Sequence, residues 1–144
     1  LATDGSAADK QTHSILLVDD DEDVRRFVAC SLEEYGHRVI EAKDGVSAIA
    51  AFEKDPPDLV ILDYVMPGMT GAEVAAELRG RVPGQPLLFV TGYSESQAIR
   101  DAAPDASVIA KPFRPDTLDL AVRDAMAMRK ETGTSGVTPS RKEE

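Results

Sequence analysis

Three aspartates that directly follow apolar segments are the residues of this chain best suited to chemistry. Asp19 and Asp20 come after the apolar run 15–18, and Asp63 comes after the apolar run 59–62. Carboxylates gathered at one place repel one another unless a cation or a proton joins them. Together they would form a hard, oxygen-rich site of the kind that suits Mg²⁺. Taken singly, the first two could instead cap a helix, and the third could belong to a turn.

Two hydrogen-bond donors follow the later apolar runs in the same way. Thr91 comes after residues 87–90, and Lys111 comes after Ser107–Ala110. The hydroxyl can donate to an anion held by a metal, and the ammonium can reach a carboxylate or a phosphoryl oxygen. Each also has an ordinary explanation, as a strand end or an exposed lysine. The whole set favours phosphoryl chemistry, with a carboxylate nucleophile, a metal and two donors.

The elements that would position these residues are strand-like runs alternating with helical patterns, which is typical of βαβ units. The predicted strands are 15–18, 38–41, 59–62, 87–90 and Ser107–Ala110. Five helices are predicted, near 22–35, around 48–52, near 71–80, near 94–102 and from Pro115 onward. The fourth is short and weakly apolar, so we expect it to be the most mobile part of the domain.

The distribution of apolar residues along each predicted strand predicts the order of the strands. The runs 15–18, 59–62 and 87–90 are apolar throughout, as expected of strands covered on both faces, whereas the other two are mixed, as expected of edges. An α/β, doubly wound, five-stranded parallel sheet in the order 2-1-3-4-5 satisfies this pattern. In such a sheet the ligand site lies beyond the carboxyl ends of the strands, beside strands 1 and 3.

Length and composition limit the other function classes. The 144 residues suffice for one domain, expected over 14–129, with polar tails at 1–13 and 130–144. A net charge of −10 argues against a nucleic-acid surface, and the apolar runs are too short to span a bilayer. The single cysteine, Cys30, excludes an internal disulfide, so we expect a reducing, cytoplasmic location.

Five motifs together resemble the receiver domains of bacterial response regulators and hybrid histidine kinases, which have a flavodoxin-like fold. They cover about residues 14–128 and lie at 15–21 (ILLVDDD), 57–63 (PDLVILD), 66–71 (MPGMTG), 90–93 (VTGY) and 111–113 (KPF). The resemblance implies a phosphorylation switch rather than an enzyme. It also implies a role in a two-component phosphorelay that regulates an output, either within a hybrid kinase or as a separate regulator.

The resemblance also assigns the site residues. Asp63 would be the phosphoacceptor, and Asp20 and Asp63 would ligate Mg²⁺ directly, with Asp19 helping through water. The backbone carbonyl of Val65 would complete the protein ligands. Thr91 would bind the phosphoryl group, and Lys111 would pair with Asp63 or with the phosphoryl oxygens.

The resemblance further implies the donor and the geometry of one peptide bond. The phosphoryl donor would be a phosphohistidine on a histidine kinase or a histidine phosphotransfer protein, since neither His13 nor His37 is placed for that role. The Lys111–Pro112 bond would be cis. Val108 stands where receivers commonly carry the Tyr or Phe that takes part in switching, which puts the usual aromatic rotation in doubt.

Other interpretations remain open. An aspartyl-phosphate phosphatase would need a second acid at position 65, where Val65 stands, and a nucleotide-binding domain would need a glycine-rich loop after strand 1. A receiver that serves only for docking is a third class, which Val108 keeps open. Tyr93 could shield the phosphoryl group from water and prolong its lifetime. The exposed side of the last helix, with Leu120, Ala127 and Met128, could be a homodimer face or ordinary surface.

Overall fold

The computed structural model describes residues 12–92, residue 99 and residues 106–137, with side chains described as far as residue 127. In chain order the elements are β1 (Ser14–Val18), α1 (Glu22–Glu34), β2 (Arg38–Ala42), α2 (Gly45–Lys54), β3 (Leu59–Asp63), α3 (Gly71–Arg81), β4 (Leu87–Thr91), β5 (Ser107–Ala110) and α4 (Pro115–Val137). Helices and strands alternate as the sequence predicts.

All five strands form one parallel sheet in the order β2-β1-β3-β4-β5, which confirms the predicted order. In the register, Leu16 pairs with Val60, and Asp63 pairs with Val90. The two uniformly apolar inner pairs, β1 with β3 and β3 with β4, therefore lie at the centre, where both faces are covered. The carboxyl ends of β1 and β3 are adjacent, so the residues after them share one edge of the sheet.

The sheet separates two apolar layers. On one face α2 and α3 pack against the strands, burying Phe52 and Leu78 beside Phe89. On the other face α1 and α4 pack against alternate strand residues, burying Leu32 and Leu118. Successive strand side chains point to opposite faces, which is why the continuously apolar strands can supply both layers.

Polar residues cap the helices at the end that faces the predicted site. Asp21 accepts a hydrogen bond from the backbone N–H of Val24, and Asp44 accepts one from Ser47. At α3, Thr70 and Glu73 form a reciprocal capping box. Such caps satisfy backbone N–H groups that the first turn leaves without helical partners. Asp21 is thus a helix cap, which separates it from the two acids that precede it.

The structure differs from the predicted elements in three respects. β1 begins one residue earlier than predicted, and β2, β3 and β4 each continue one residue further, so Asp63 and Thr91 are the last residues of their strands. Four helices are described where five were predicted, and the predicted fourth helix lies outside the described residues except for helical Ile99. The last helix continues past residue 129, through a region predicted to be a tail, because Arg129, Lys130 and Glu131 favour helix.

Within the described ranges, no helix is both long enough and apolar enough to cross a membrane. Tyr93 lies outside these ranges, so the prediction about phosphoryl lifetime stays a prediction.

Candidate functional site

Three carboxylates meet at the carboxyl edge of the sheet. Asp19, Asp20 and Asp63 each place one carboxylate oxygen within 4.8 Å of the others, and we call these three residues the acidic cluster. Asp19 and Asp63 are buried, whereas Asp20 is exposed. They come together because β1 and β3 are neighbouring parallel strands that end at the same level. Oxygens at this separation can be bridged by one hard cation.

The backbone around Asp63 is tightly built. The N–H of Tyr64 donates to the carbonyl of Val90 at 3.0 Å, and the N–H of Gly71 donates to the carbonyl of Tyr64 at 2.7 Å. A Cβ at Gly71 would lie 2.8 Å from the carbonyl oxygen of Asp63. α3 therefore begins in direct contact with the end of β3, which limits how far the phosphoacceptor candidate can move.

The two predicted donors lie at the same edge. Lys111 places its Nζ 3.7 Å from Oδ2 of Asp63, and its backbone N–H donates to the carbonyl of Thr91 at 2.8 Å. The Lys111–Pro112 peptide bond is cis, as the resemblance implies. Thr91 is buried, and its hydroxyl donates to the carbonyl of Gly92 at 2.7 Å.

Burial and mutual repulsion dominate the electrostatics of the acidic cluster. Burial and the negative charge of Asp19 raise the pKa of Asp63 from 3.8 to about 6, although Lys111 opposes that rise. Burial likewise raises the pKa of Asp19 above its usual value. Two buried carboxylates beside one lysine form an electrostatically unfavourable group. A divalent cation would relieve the repulsion, so the donor set fits Mg²⁺ in both chemistry and charge.

Val65 and Val108 are two further positions that the sequence singled out. A hydrogen bond from the backbone of Val65 acts on the carboxylate of Asp63, and the Val65 side chain is exposed. Val108, on β5, is half-buried and packs against the layer formed with α2 and α3.

Leu120 and Ala127 are exposed on α4, while the Met128 side chain lies outside the described residues. The homodimer face therefore stays a prediction.

Sequence reasoning did not anticipate Arg25 and Glu41. The Arg25 guanidinium donates to the backbone carbonyl of Asp19 at 2.9 Å and to a carboxylate oxygen of Glu41 at 2.9 Å. The pattern of α1 offers no sign of this contact, because Arg25 and Glu41 are distant in sequence. Asp20 and Asp63 were expected, and the structure brings both of them into the acidic cluster.

A second polar group lies at the opposite, amino edge of the sheet. The rings of His13 and His37 stack with centroids 5.5 Å apart, and the backbone N–H of His13 donates to Nδ1 of His37 at 3.2 Å. Asp58 accepts from the backbone N–H of Ser14 at 2.9 Å and lies 3.9 Å from His13. Both histidines lie at the edge opposite the acidic cluster, and the prediction that neither is the donor stays a prediction.

Comparisons with known proteins agree with this geometry. The family model described as the response regulator receiver domain matches residues 15–123. The response regulator receiver protein CpdR of Brucella abortus is 38% identical over 102 residues, which cover 69% of this chain and 84% of that protein. The probable transcriptional regulatory protein TcrX of Mycobacterium tuberculosis is 34% identical over 132 residues, 90% of this chain and 55% of that protein.

The chain thus spans about half the length of several curated relatives that it matches. Among solved structures, the receiver domain of NtrX from Brucella abortus aligns with a TM-score of 0.73 and 32% identity, covering 78% of this chain and 98% of that domain. The chemotaxis protein CheY4 of Vibrio cholerae aligns with a TM-score of 0.72 and 30% identity, covering 80% of this chain and 99% of that protein. The chain therefore belongs to the response regulator receiver domain family of two-component systems.

Proposed function

We propose that Asp63 accepts a phosphoryl group from a phosphohistidine and that the resulting aspartyl phosphate switches the conformation of the domain. The observation that carries the proposal is the acidic cluster, whose carboxylate oxygens lie within 4.8 Å of one another, with the ammonium of Lys111 3.7 Å from Asp63. A buried carboxylate beside other acids and a lysine is suited to accepting a phosphoryl group rather than to capping a helix.

The acidic cluster would hold Mg²⁺, with Asp20 and Asp63 as direct ligands, Asp19 assisting through water and the carbonyl of Val65 as a further ligand. When bound, the ion would neutralise the negative charge shared between the carboxylates and the incoming phosphoryl oxygens. Burial of Asp19 and Asp63 supports this assignment, because buried carboxylates need a positive partner.

In the proposed step, a carboxylate oxygen of Asp63 forms a bond to phosphorus as the P–N bond of the phosphohistidine breaks. The electron pair of the broken bond stays on the imidazole nitrogen, so charge and atoms balance. Lys111 would pair with one phosphoryl oxygen. The Thr91 hydroxyl, which donates to the carbonyl of Gly92, would donate to a second phosphoryl oxygen instead. That exchange of hydrogen-bond partner would be the start of the conformational switch, with half-buried Val108 in place of an aromatic ring.

The partner would be a histidine kinase or a histidine phosphotransfer protein, and the output would be regulated by the phosphorylated domain. We place the domain over residues 14–129, and we place it in the cytoplasm because the exposed thiol of Cys30 fits a reducing compartment. The strongly negative net charge of −10 does not favour binding to nucleic acid by this chain. A homodimer through the exposed side of α4 is a further proposal, supported by exposed Leu120.

The test is phosphorylation by acetyl phosphate, followed by intact mass with Mg²⁺ and with a chelator. We expect one phosphoryl mass (about 80 Da) that depends on Mg²⁺ and disappears in Asp63→Asn. Asp55→Asn is the matched control, because it removes an exposed carboxylate from the far edge of the sheet. An adduct that persists in Asp63→Asn would overturn the assignment of the phosphoacceptor.

A beryllium fluoride mimic separates the remaining outcomes. A rise in melting temperature with the mimic but no covalent adduct would mean that small phosphoryl donors are not accepted. No response to either reagent would favour a domain that serves only for docking and would overturn the proposed function.

A further inference from the structure

Arg25 connects α1 to the ends of two strands. Its Nη1 donates to the backbone carbonyl of Asp19 at 2.9 Å, and its Nε donates to Oε1 of Glu41 at 2.9 Å. The Arg25 side chain is only 14% exposed. A guanidinium that is largely withdrawn from water and makes two charge-assisted or carbonyl contacts is held in one orientation.

These contacts close a ring around the first member of the acidic cluster. The backbone N–H of Asp19 donates to the carbonyl of Ala42 at 3.1 Å, and Ala42 directly follows Glu41 at the end of β2. Arg25 bonds to Glu41 on one side and to Asp19 on the other. The ring therefore joins the end of β1, the end of β2 and the first turn of α1.

The ring fixes the backbone of Asp19 completely. Its N–H and its carbonyl are both engaged, and Oδ1 of its carboxylate accepts from the backbone N–H of Asp21 at 2.9 Å. One carboxylate oxygen of Asp19 lies within 4.8 Å of carboxylate oxygens of Asp20 and Asp63, so the position of this backbone sets the position of a cation ligand. We propose that Arg25, anchored by Glu41, is a positioning residue that holds Asp19 in the geometry needed to bind the cation, an inference that rests on the proposed function.

The action of Arg25 is geometric rather than electrostatic. Its guanidinium contacts the backbone carbonyl of Asp19, so it acts on the position of that residue. Lysine could not replace the arginine, because a single ammonium cannot bridge the carbonyl and the carboxylate with a planar fork. Residues that orient metal ligands typically change metal affinity or activity by about 10–100-fold when they are removed.

Arg26 offers a matched control on the same helix. It carries the same charge and lies 3.9 Å from the same Glu41, but its side chain is 65% exposed and its ion pair with Glu41 is at the limit of contact. Arg26→Gln therefore removes one positive charge, as Arg25→Gln does. It leaves the contact between Arg25 and the carbonyl of Asp19 in place.

The experiment measures Mg²⁺ affinity by calorimetry on the metal-free full chain, and the Mg²⁺ dependence of phosphorylation by acetyl phosphate. We expect Arg25→Gln and Arg25→Lys to weaken Mg²⁺ binding by about tenfold or more. The phosphorylation rate at saturating Mg²⁺ should stay within about twofold of the parent rate, since excess ion restores the geometry. Glu41→Gln should weaken binding less, and Arg26→Gln should match the parent.

The outcomes separate this inference from the proposed function. If the parent neither binds Mg²⁺ nor takes phosphate, the proposed function fails. If the parent does both and Arg25→Gln binds Mg²⁺ no more weakly than Arg26→Gln, only the role of Arg25 is overturned. If Arg25→Gln does not fold, parent-like affinity in both Arg25→Lys and Glu41→Gln overturns it instead. An equal loss of affinity and of rate at saturating Mg²⁺ would indicate general damage and would also overturn it.

Discussion

The two edges of the sheet hold their polar groups in opposite ways. At the amino edge, His37, Asp58 and Gln85 pair with nearby groups, and Gln85 donates to the carbonyls of Pro57 and Pro86 at 3.4 and 3.1 Å. At the carboxyl edge, two buried carboxylates and an exposed one lie together, and the ammonium of Lys111 lies 3.7 Å from Asp63. The first arrangement satisfies its polar groups within the chain, whereas the second concentrates negative charge.

This difference indicates which edge is built for a ligand. A buried polar group that is paired within the chain contributes to the fold, but a cluster of like charges costs folding free energy until something else binds. Receiver function would therefore depend on the carboxyl edge, while the amino edge would hold β1 and β3 in register. The following changes test that contrast, from the largest expected effect to the smallest.

Gly71→Ala tests how tightly the carboxyl edge is built. A Cβ there would lie 2.8 Å from the carbonyl oxygen of Asp63 and 2.8 Å from the Cα of Tyr64. Because both neighbours are backbone atoms, we expect a loss of about 3 kcal/mol in the free energy of unfolding, measured by denaturant titration. Gly80→Ala, near the other end of α3, is the control, since nothing lies within 4 Å of its added Cβ. Gly80→Ala should raise the free energy of unfolding by about 0.5–1 kcal/mol. Equal effects of the two changes would contradict the contrast between the edges.

Addition of Mg²⁺ should stabilise the parent through the carboxyl edge alone. At a hundred times the Kd, bound ion adds about 2.7 kcal/mol to the free energy of unfolding. Thermal unfolding should show this increment in the parent and in Asp58→Asn, and should show little of it in Asp63→Asn. Asp58→Asn removes a charge but keeps a side-chain oxygen that can accept from the backbone N–H of Ser14, so its increment should be intact. Loss of the increment in Asp58→Asn would show that the two edges are coupled.

Asp63→Asn should stabilise the metal-free chain at neutral pH. The folded pKa of about 6 lies above the ordinary 3.8, so the folded state binds the proton more tightly, and the stability from Asp63 is lost as pH rises through about 6. The variant should therefore be more stable than the parent by about 1–3 kcal/mol at neutral pH. Denaturant titrations at several pH values should show this gap closing below about pH 4. A stability difference between the variant and the parent that does not change with pH would contradict this explanation.

His37 should give the opposite slope at the amino edge. Burial and the neighbouring charge of His13 lower the pKa of His37, with Arg123 acting in the same direction and Asp119 opposing. A folded pKa below the ordinary 6.5 means that stability from His37 is present above that value and is lost as pH falls. Protonation would also remove the acceptor for the backbone N–H of His13.

The slope is measured in the metal-free Asp63→Asn background, where the opposing slope of Asp63 is removed. Stability should fall as pH drops from about 7 to about 5.5, and His37→Gln should flatten that fall. The effect should be the smallest of the four, because only one partly shielded imidazole changes its charge. An unchanged slope in His37→Gln would contradict the assignment.

Much of the fold followed from local pattern. The apolar texture of residues 59–62 predicted an inner strand, because only a strand covered on both faces can be apolar at every position. In the structure, Asp21 and Thr70 cap α1 and α3 at the positions where these helices were predicted to begin. The last helix continues to Val137, through part of the segment 130–144 that its polar composition predicted to be a tail. The strand ends were placed one residue early at Asp63 and Thr91, because a polar residue was read as lying outside its strand.

The sequence by itself determined which residue types could do the chemistry and that they stand at strand ends. A parallel sheet brings those ends to one edge, so Asp19, Asp20 and Asp63 could be expected together. Only the tertiary structure decided what surrounds them. The raised pKa of Asp63 depends on burial, and the role proposed for Arg25, on α1, depends on Glu41 from β2. Burial and contacts between distant segments arise from packing of the whole chain, which no local pattern encodes.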